Sequence, residues 1–422
     1  MTAPTAPTIT PDGNRLWRSL MEMAEIGPIP GGGSGRQALT DLDAAGRALF
    51  SGWCRESGLT LETDAIGNLF ARRPGTDPTL PPVMMGSHLD TQPTGGRFDG
   101  VYGVLAALEV VRSLNDAGRH TRHPLEIAVW MNEEGARYAP PMMGSGVFTG
   151  RFTEAEILDK VAQDGARLGD DLERLGWRGT RPASLAAHPV AAYFEAHIEQ
   201  GPVLEADGLE VGVVTGARGQ RWYDAVVTGR EAHAGPTPMR LRQDALVTAA
   251  TLVLAVEAIG AAHGEEASAT VGILDVHPHS RNVIPGRCTL TIDLRHADTA
   301  VLDTMEAELK AAVAGLTDAG RTVELRDFWS FPVLPFDPGL VERVRAAAAA
   351  RGLRHRDIVS GAGHDAVYMS MVVPTAMVFI PCVDGISHNP AEAIDPAQAA
   401  TGCAVLCDAV LATAERDPLS LP

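Results

Sequence analysis

Residues 86–100 read GSHLDTQPTGGRFDG, a histidine and two aspartates set among glycines. The apolar run PPVMM (81–85) precedes them, and VYGVLAALEVVRSL (101–114) follows. The first flank has the short, continuous apolar character of a strand buried on both faces, and the second repeats apolar residues at helical spacing. The stretch between is therefore a glycine-rich loop running from the inner end of a strand into a helix. In an open α/β sheet, ligands bind outside the carboxyl ends of the strands, where such loops lie. Position alone makes His88, Asp90 and Asp99 candidates for chemistry.

Working outward, the same alternation recurs. LTLETDAIGNLFARR (59–73) reads as a hairpin and PLEIAVWMN (124–132) as a strand; acidic helical stretches follow between 153 and 176, then the strands PVAAYFEAHIE (189–199) and LEVGVVTG (209–216). After Pro332 the pattern resumes with a helix at 338–351, the strand TAMVFIP (375–381) and a helix at 396–415. Strands alternating with helices predict an α/β sheet. Between them, residues 217–331 have an order of their own, β-α-β-β-α-β: strand 221–229, helix 240–262, strands 268–278 and 287–296, helix 299–318 and strand 321–329. That is the split βαβ arrangement of a ferredoxin-like sandwich, inserted as a smaller domain into a larger one. A chain of 422 residues exceeds one ordinary core, which agrees with two domains.

Composition narrows the partners. With 35 basic against 53 acidic residues the formal net charge is −18, which repels phosphate backbones and anionic lipid surfaces, so neither nucleic acid nor membrane is expected. The longest apolar stretch, TAATLVLAVEAIGAA (248–262), is shorter than the ~20 residues of a membrane helix and contains Glu257. The first residues lack a basic start and an apolar run, so no signal peptide is read, and the first dozen, rich in Pro and Thr, are expected to fray. Five cysteines without a C-x-x-C pair point to reduced thiols in a cytoplasm.

Three more clusters share the position of the opening loop, each after an apolar strand. Glu133 and Glu134 follow IAVWMN, His197 and Glu199 end AAYFEAHIE, and His388 follows AMVFIPCVDGIS. Imidazoles and carboxylates together suit zinc or a similar first-row metal. Five ligands exceed the three plus water of a single catalytic zinc, so two metals sharing a carboxylate would use them all. Taken singly each signal has an ordinary explanation: a surface H-x-D pair, a solvated glutamate edge, a turn at SHNP. Their joint occurrence carries the metal reading. Which of the neighbouring Glu133 and Glu134 faces inward stays open, because a strand end can twist either way.

The motifs GSHLDTQPTGGRFDGVYGV, NEEGARYAPPMMGS, EAHIEQGPVLE, GREAHAGPTPM, SRNVIPG, GAGHDA and GISHNPAE resemble, in order and spacing, the binuclear-metal amidohydrolases acting on N-carbamoyl amino acids, ureidopropionate and allantoate. These lie within the aminoacylase and carboxypeptidase G2-like metallopeptidase group, and the resemblance spans residues 15 to 415. It implies an α/β fold with a large mixed-sheet metallopeptidase-like catalytic domain, residues 1–216 and 332–422, and an inserted ferredoxin-like α+β lid or dimerisation domain at 217–331. It implies two divalent ions, zinc first, with manganese, cobalt or nickel as alternatives. Asp99 would bridge them, with His88 and His197 completing one and Glu134 and His388 the other. Glu133 would be the general base for a water held between the cations, and Asp90 would orient the His88 ring from behind.

The same resemblance gives Arg295, Asn282 and the amide of Gly361 or Gly363 to the substrate carboxylate, and Gln200 to the ureido end. It gives His233 to the tetrahedral oxyanion, supplied across the interface of a homodimer. An arginine fork matches a carboxylate at two points, which suits Arg295 physically; as alternatives, Arg295 is a surface strand charge and Asn282 a turn residue. His364 and Asp365 stay as residues lining the pocket or standing behind the ligands. The expected activity is removal of the carbamoyl group from N-carbamoyl L- or β-amino acids, giving the amino acid, ammonia and carbon dioxide. The rivals are an allantoate amidohydrolase, an aminoacylase or dipeptidase of the wider group, and a binding module that keeps the fold without turnover. A binding module would need a broken site, and every expected ligand is present.

Overall fold

The structure is a computed structural model and describes residues 9–416. Most of the segment expected to fray, residues 1–8, lies outside it; Asp12 is already ordered as the cap of a helix, its carboxylate accepting from the Asn14 and Arg15 amides. The chain divides into two compact units, Met1–Gly216 with Pro335–Pro422, and Ala217–Leu334.

The larger unit is built on a nine-stranded mixed sheet. Four strands at its centre run parallel and are buried at every position: β1 (Val83–His88), β2 (Leu125–Trp130), β3 (Ala192–Ile198) and β4 (Thr375–Ile380). Their spatial order is β2-β1-β3-β4. Covered on both faces, they need no apolar–polar alternation, which is why their sequences read as continuous apolar runs. Antiparallel strands flank them: Leu69–Arg73 against β2 and Val211–Ala217 against β4.

From β1 the chain passes through the helix Val101–Asp116 to β2 on one side of β1, and β3 later pairs with β1 on the other. The strand order thus reverses at β1, and the crevice beyond its carboxyl end is where an open sheet accepts a ligand. The helix lies close upon β3, since a Cβ on Gly103 would stand 2.3 Å from the Ala196 carbonyl oxygen. The helices Gly13–Ala24, Val101–Asp116 and Pro396–Ala414 pack together over the sheet.

The smaller unit carries an antiparallel four-stranded sheet in the order Thr322–Phe331, Gly219–Thr228, Arg287–His296, Ser268–His277, with the helices Ala245–Ala262 and Thr299–Leu316 packed on it. The helix expected from residue 240 begins at Ala245. Asp244 caps it by accepting from the Leu246 and Val247 amides, while Met239–Leu241 form a separate turn.

The helices Gly13–Ala24 and Asp41–Glu56 and the strand His355–Ser360 were not anticipated from the sequence. Among the described residues, two helices, Ala245–Ala262 and Pro396–Ala414, are long and apolar enough by composition to cross a membrane. In this fold their buried faces lie against the two sheets.

Candidate metal centre

The parallel strands all point their carboxyl ends to one edge of the sheet, and the opening loop, the glutamate pair and His197 meet there. His88 closes β1 and is buried. Its Nδ1 lies 2.8 Å from the Asp90 backbone carbonyl. A carbonyl only accepts, so Nδ1 carries the proton and the Nε2 lone pair faces the cluster. His197, near the end of β3, is held the same way, with Nδ1 2.9 Å from the Ile198 carbonyl. Its Nε2 stands 3.1 Å from Asp99 Oδ1, and His88 Nε2 stands 3.7 Å from the same oxygen. The other Asp99 oxygen, Oδ2, lies 3.3 Å from His388 Nε2, which is itself 3.4 Å from Glu134 Oε2. One carboxylate therefore presents its two oxygens to two separate donor groups, His88 with His197 and Glu134 with His388.

The glycines of the loop have a steric reason. Gly100 has φ +66°, and a Cβ there would sit 2.4 Å from the His88 ring. A Cβ on Gly96 would fall 2.0 Å from the Glu392 carboxyl.

The acids are crowded. Burial pushes Glu134 up to about 8, with the Asp99 charge adding to it. Burial, then Asp365 and Glu134, push Glu133 well up. Burial opposes the charge on Asp99 too, yet the His197 and His388 rings beside it hold its carboxyl well below the usual range. Imidazole nitrogens fixed by backbone carbonyls and carboxylates packed together suit first-row divalent ions. The residues present fit the metals that the sequence motifs imply.

Glu133 Oε2 is 3.5 Å from His88 Nε2 and the residue is nearly buried, beside the cluster. Asp90 differs from expectation. Its carboxylate is 3.9 Å from His88 Nδ1, too far for a hydrogen bond, and it is the backbone carbonyl of Asp90 that orients the ring. The carboxylate instead accepts the Glu133 amide on Oδ1 at 3.3 Å and the Glu134 amide on Oδ2 at 3.2 Å, tying down both glutamates. Gln200 is brought against the cluster: its Nε2 donates to Asp99 Oδ2 at 2.8 Å, and its Oε1 is buried without a hydrogen-bond partner.

His364 is buried with its ring 4.4 Å from that of His197 and its Nε2 3.0 Å from Ser360 Oγ. Asp365 is buried, accepting from Ser145 Oγ at 2.5 Å. Gly361 and Gly363 lie in the turn before them. Glu199, grouped with His197 by sequence, accepts the Val203 and Leu204 amides and serves that short helix.

The remaining predicted residues belong to the smaller unit. His233 and Asn282 are neighbours there: the strand Ala232–His233 pairs with Val283–Ile284, and the Ala234 amide donates to the Asn282 carbonyl at 2.9 Å. Both side chains are exposed. Arg295 lies on the strand Arg287–His296, with Nη2 2.6 Å from Asp293 Oδ2.

Three supporting residues escaped the sequence reading. Gln92 donates to Glu134 twice, from its backbone amide at 3.0 Å and its side chain at 2.7 Å. Glu195, fully buried on β3, accepts from Ser87 Oγ, the Ala366 amide and Tyr193 OH. Glu392 binds two loops of the centre. For Glu195 a signal existed: a carboxylate inside an apolar parallel strand, two residues before His197 and so on the same face.

Fold and site together define a metal-dependent hydrolase of the two-domain metallopeptidase class. The chain belongs to the Peptidase family M20/M25/M40, whose model matches residues 84–412. It is 48% identical over 405 residues to an N-carbamoyl-L-amino-acid amidohydrolase of Rhizobium meliloti, covering 96% of this chain and 97% of that protein. It is 33% identical over 412 residues to a ureidoglycolate hydrolase of Arabidopsis thaliana, covering 95% and 86%. Among solved structures, an amidase of the hydantoinase/carbamoylase family from Burkholderia vietnamiensis superposes with a TM-score of 0.94 at 51% identity, over 98% of this chain and 100% of that one.

Proposed function

We propose that the protein is an N-carbamoyl-L-amino-acid amidohydrolase, converting N-carbamoyl L- or β-amino acids to the amino acid, ammonia and carbon dioxide. The observation that carries this reading is Asp99, whose two oxygens face two donor groups while the unpaired Gln200 Oε1 lies beside it. A buried acceptor without a partner is costly. The N–H groups of a ureido substrate would satisfy it. The 48% identity to the Rhizobium meliloti enzyme supports the same substrate class.

His88 and His197 with Asp99, and Glu134 and His388 with Asp99, would hold two divalent ions, zinc first and manganese, cobalt or nickel next. Ions so held supply Lewis-acid polarisation of the ureido carbonyl and acidify water. Glu133 takes the proton from the attacking water and passes it to the leaving nitrogen. Asp90 keeps Glu133 and Glu134 in register through their amides. Arg295, Asn282 and the amide of Gly361 or Gly363 bind the substrate carboxylate, and His233 of a second copy stabilises the oxyanion.

A homodimer through the smaller unit is supported by Val247 and Leu254, exposed on the helix Ala245–Ala262, and by Ile273 and Leu274, exposed on the edge strand Ser268–His277. Five free, buried cysteines agree with a reducing cytoplasm. The test is ammonia release from N-carbamoyl-L-amino acids, N-carbamoyl-β-alanine, allantoate and ureidoglycolate, with and without chelator. Chelator-sensitive turnover of the carbamoyl amino acids is expected. Turnover of allantoate or ureidoglycolate alone, or turnover indifferent to chelator, refutes the proposal.

A further inference from the structure

The two donor groups are supported differently. His88 and His197 sit at strand ends with their rings pinned by backbone carbonyls. His388 stands on a loop beyond β4, its side chain 52% exposed and its backbone left-handed at φ 53°. Something must hold that loop against the Asp99 loop. Glu392 touches both. It is 2% exposed; its Oε1 accepts the Phe98 amide at 2.9 Å and the Asp99 amide at 3.1 Å, and its Oε2 accepts from Ser387 Oγ at 2.8 Å. Ser387 Oγ in turn lies 3.2 Å from Asp99 Oδ2 and accepts from Gln200 Nε2 at 3.2 Å. The space for this carboxylate exists because residue 96 is glycine.

We propose that Glu392 is a positioning residue that presents Asp99 Oδ2 and His388 together, and so builds the second metal position without being a ligand to it. The inference rests on the two-ion reading above. It assigns an asymmetry: the position of His88 and His197 stands without Glu392, and that of Glu134 and His388 does not. Residues behind metal ligands typically change affinity by ~10–100-fold when removed.

The experiment strips the full-length protein with chelator, checks folding by circular dichroism, and measures Zn²⁺ bound at equilibrium dialysis by elemental analysis. The wild type takes two equivalents. Glu392→Ala keeps one at wild-type affinity and binds the second roughly 10–100-fold more weakly. Glu392→Gln stays near wild type, because its carboxamide oxygen still accepts the two amides and its NH₂ donates to Ser387 Oγ. Gly96→Ala pushes a methyl into the carboxyl and reproduces the loss with Glu392 still present. Two equivalents at wild-type affinity in both Glu392→Ala and Gly96→Ala overturn the proposal, as does a Glu392→Gln variant as weak as Glu392→Ala. Should Glu392→Ala fail to fold, Gly96→Ala decides on the same terms. A single equivalent in the wild type removes the two-ion reading, and this inference with it.

Discussion

Replacing Asp90 tests whether its carboxylate acts through the glutamates or through His88. The side chain is 1% exposed, and its two oxygens satisfy two amides, those of Glu133 and Glu134. Leaving a buried donor unsatisfied costs about 1–3 kcal/mol. Asp90→Ala strands both, so a loss of roughly 2–6 kcal/mol is expected before any cavity is counted. Asp90→Asn keeps one acceptor and turns an NH₂ toward the other amide, so about 1–3 kcal/mol is expected. The assay is urea unfolding of the chelator-treated protein, which removes the contribution of bound ions, alone and in a His88→Ala background. If the carboxylate serves the glutamate backbone, most of its loss survives without the imidazole, because the two stranded amides belong to Glu133 and Glu134 and not to the ring. A loss that vanishes in the His88→Ala background, or an Asp90→Ala variant within about 0.5 kcal/mol of wild type, refutes the reasoning.

Other outcomes follow from the same geometry. Glu133→Gln should keep both ions by elemental analysis and lose ~10²–10⁴ of its kcat; unchanged turnover removes Glu133 as the base. Arg295→Ala should raise KM for substrates bearing a free carboxylate and leave their amide analogues little changed, whereas equal effects on both exclude a carboxylate grip. Removal of metal should destabilise the protein more at pH 9 than at pH 6. Without ions, Glu134 is held up to about 8 by burial, and His197 and His388 are raised to about 9 by Asp99 although burial opposes them. Groups raised in the folded state stabilise it fully below their unfolded values and lose that contribution as pH rises through the folded ones, here across pH 6 to 9. His88, lowered by burial, acts in the opposite sense. The gap in Tm between loaded and stripped protein, measured by calorimetry, should widen with pH; a constant gap counts against the reading.

What the sequence made legible was whatever follows a buried parallel strand. His88, Glu133, Glu134 and His197 each trail an apolar run, and the strand period places such residues at one edge of the sheet. The supporting carboxylates were harder to see, since their partners are far along the chain: Glu392 reaches the Asp99 amide across 293 positions, and no local pattern encodes that. The role of the Asp90 carboxylate was misplaced for a related reason. H-x-D spacing brings the aspartate near the ring, but whether its backbone or its side chain reaches Nδ1 depends on the loop path. The strand His355–Ser360 lies off the main run of the sheet, pairing with Val211–Ala217, and is half-exposed; its charged sequence HRDIVS carries no apolar run. The start of the helix at Ala245 was set by the Asp244 cap, which competes with an apolar pattern that extends further back.

The interleaved strand order has a consequence for biosynthesis. β4 and the His388 loop are made last of the segments that meet at the candidate centre, yet they dock beside β3, whose other neighbour β1 was made first. While the chain is still growing, His88 and Asp99 can emerge and even find their strand, but His388 has not yet been translated. On the proposed two-ion reading, a nascent chain would offer an incoming ion only part of its coordination, and the full centre would form only in the finished polypeptide.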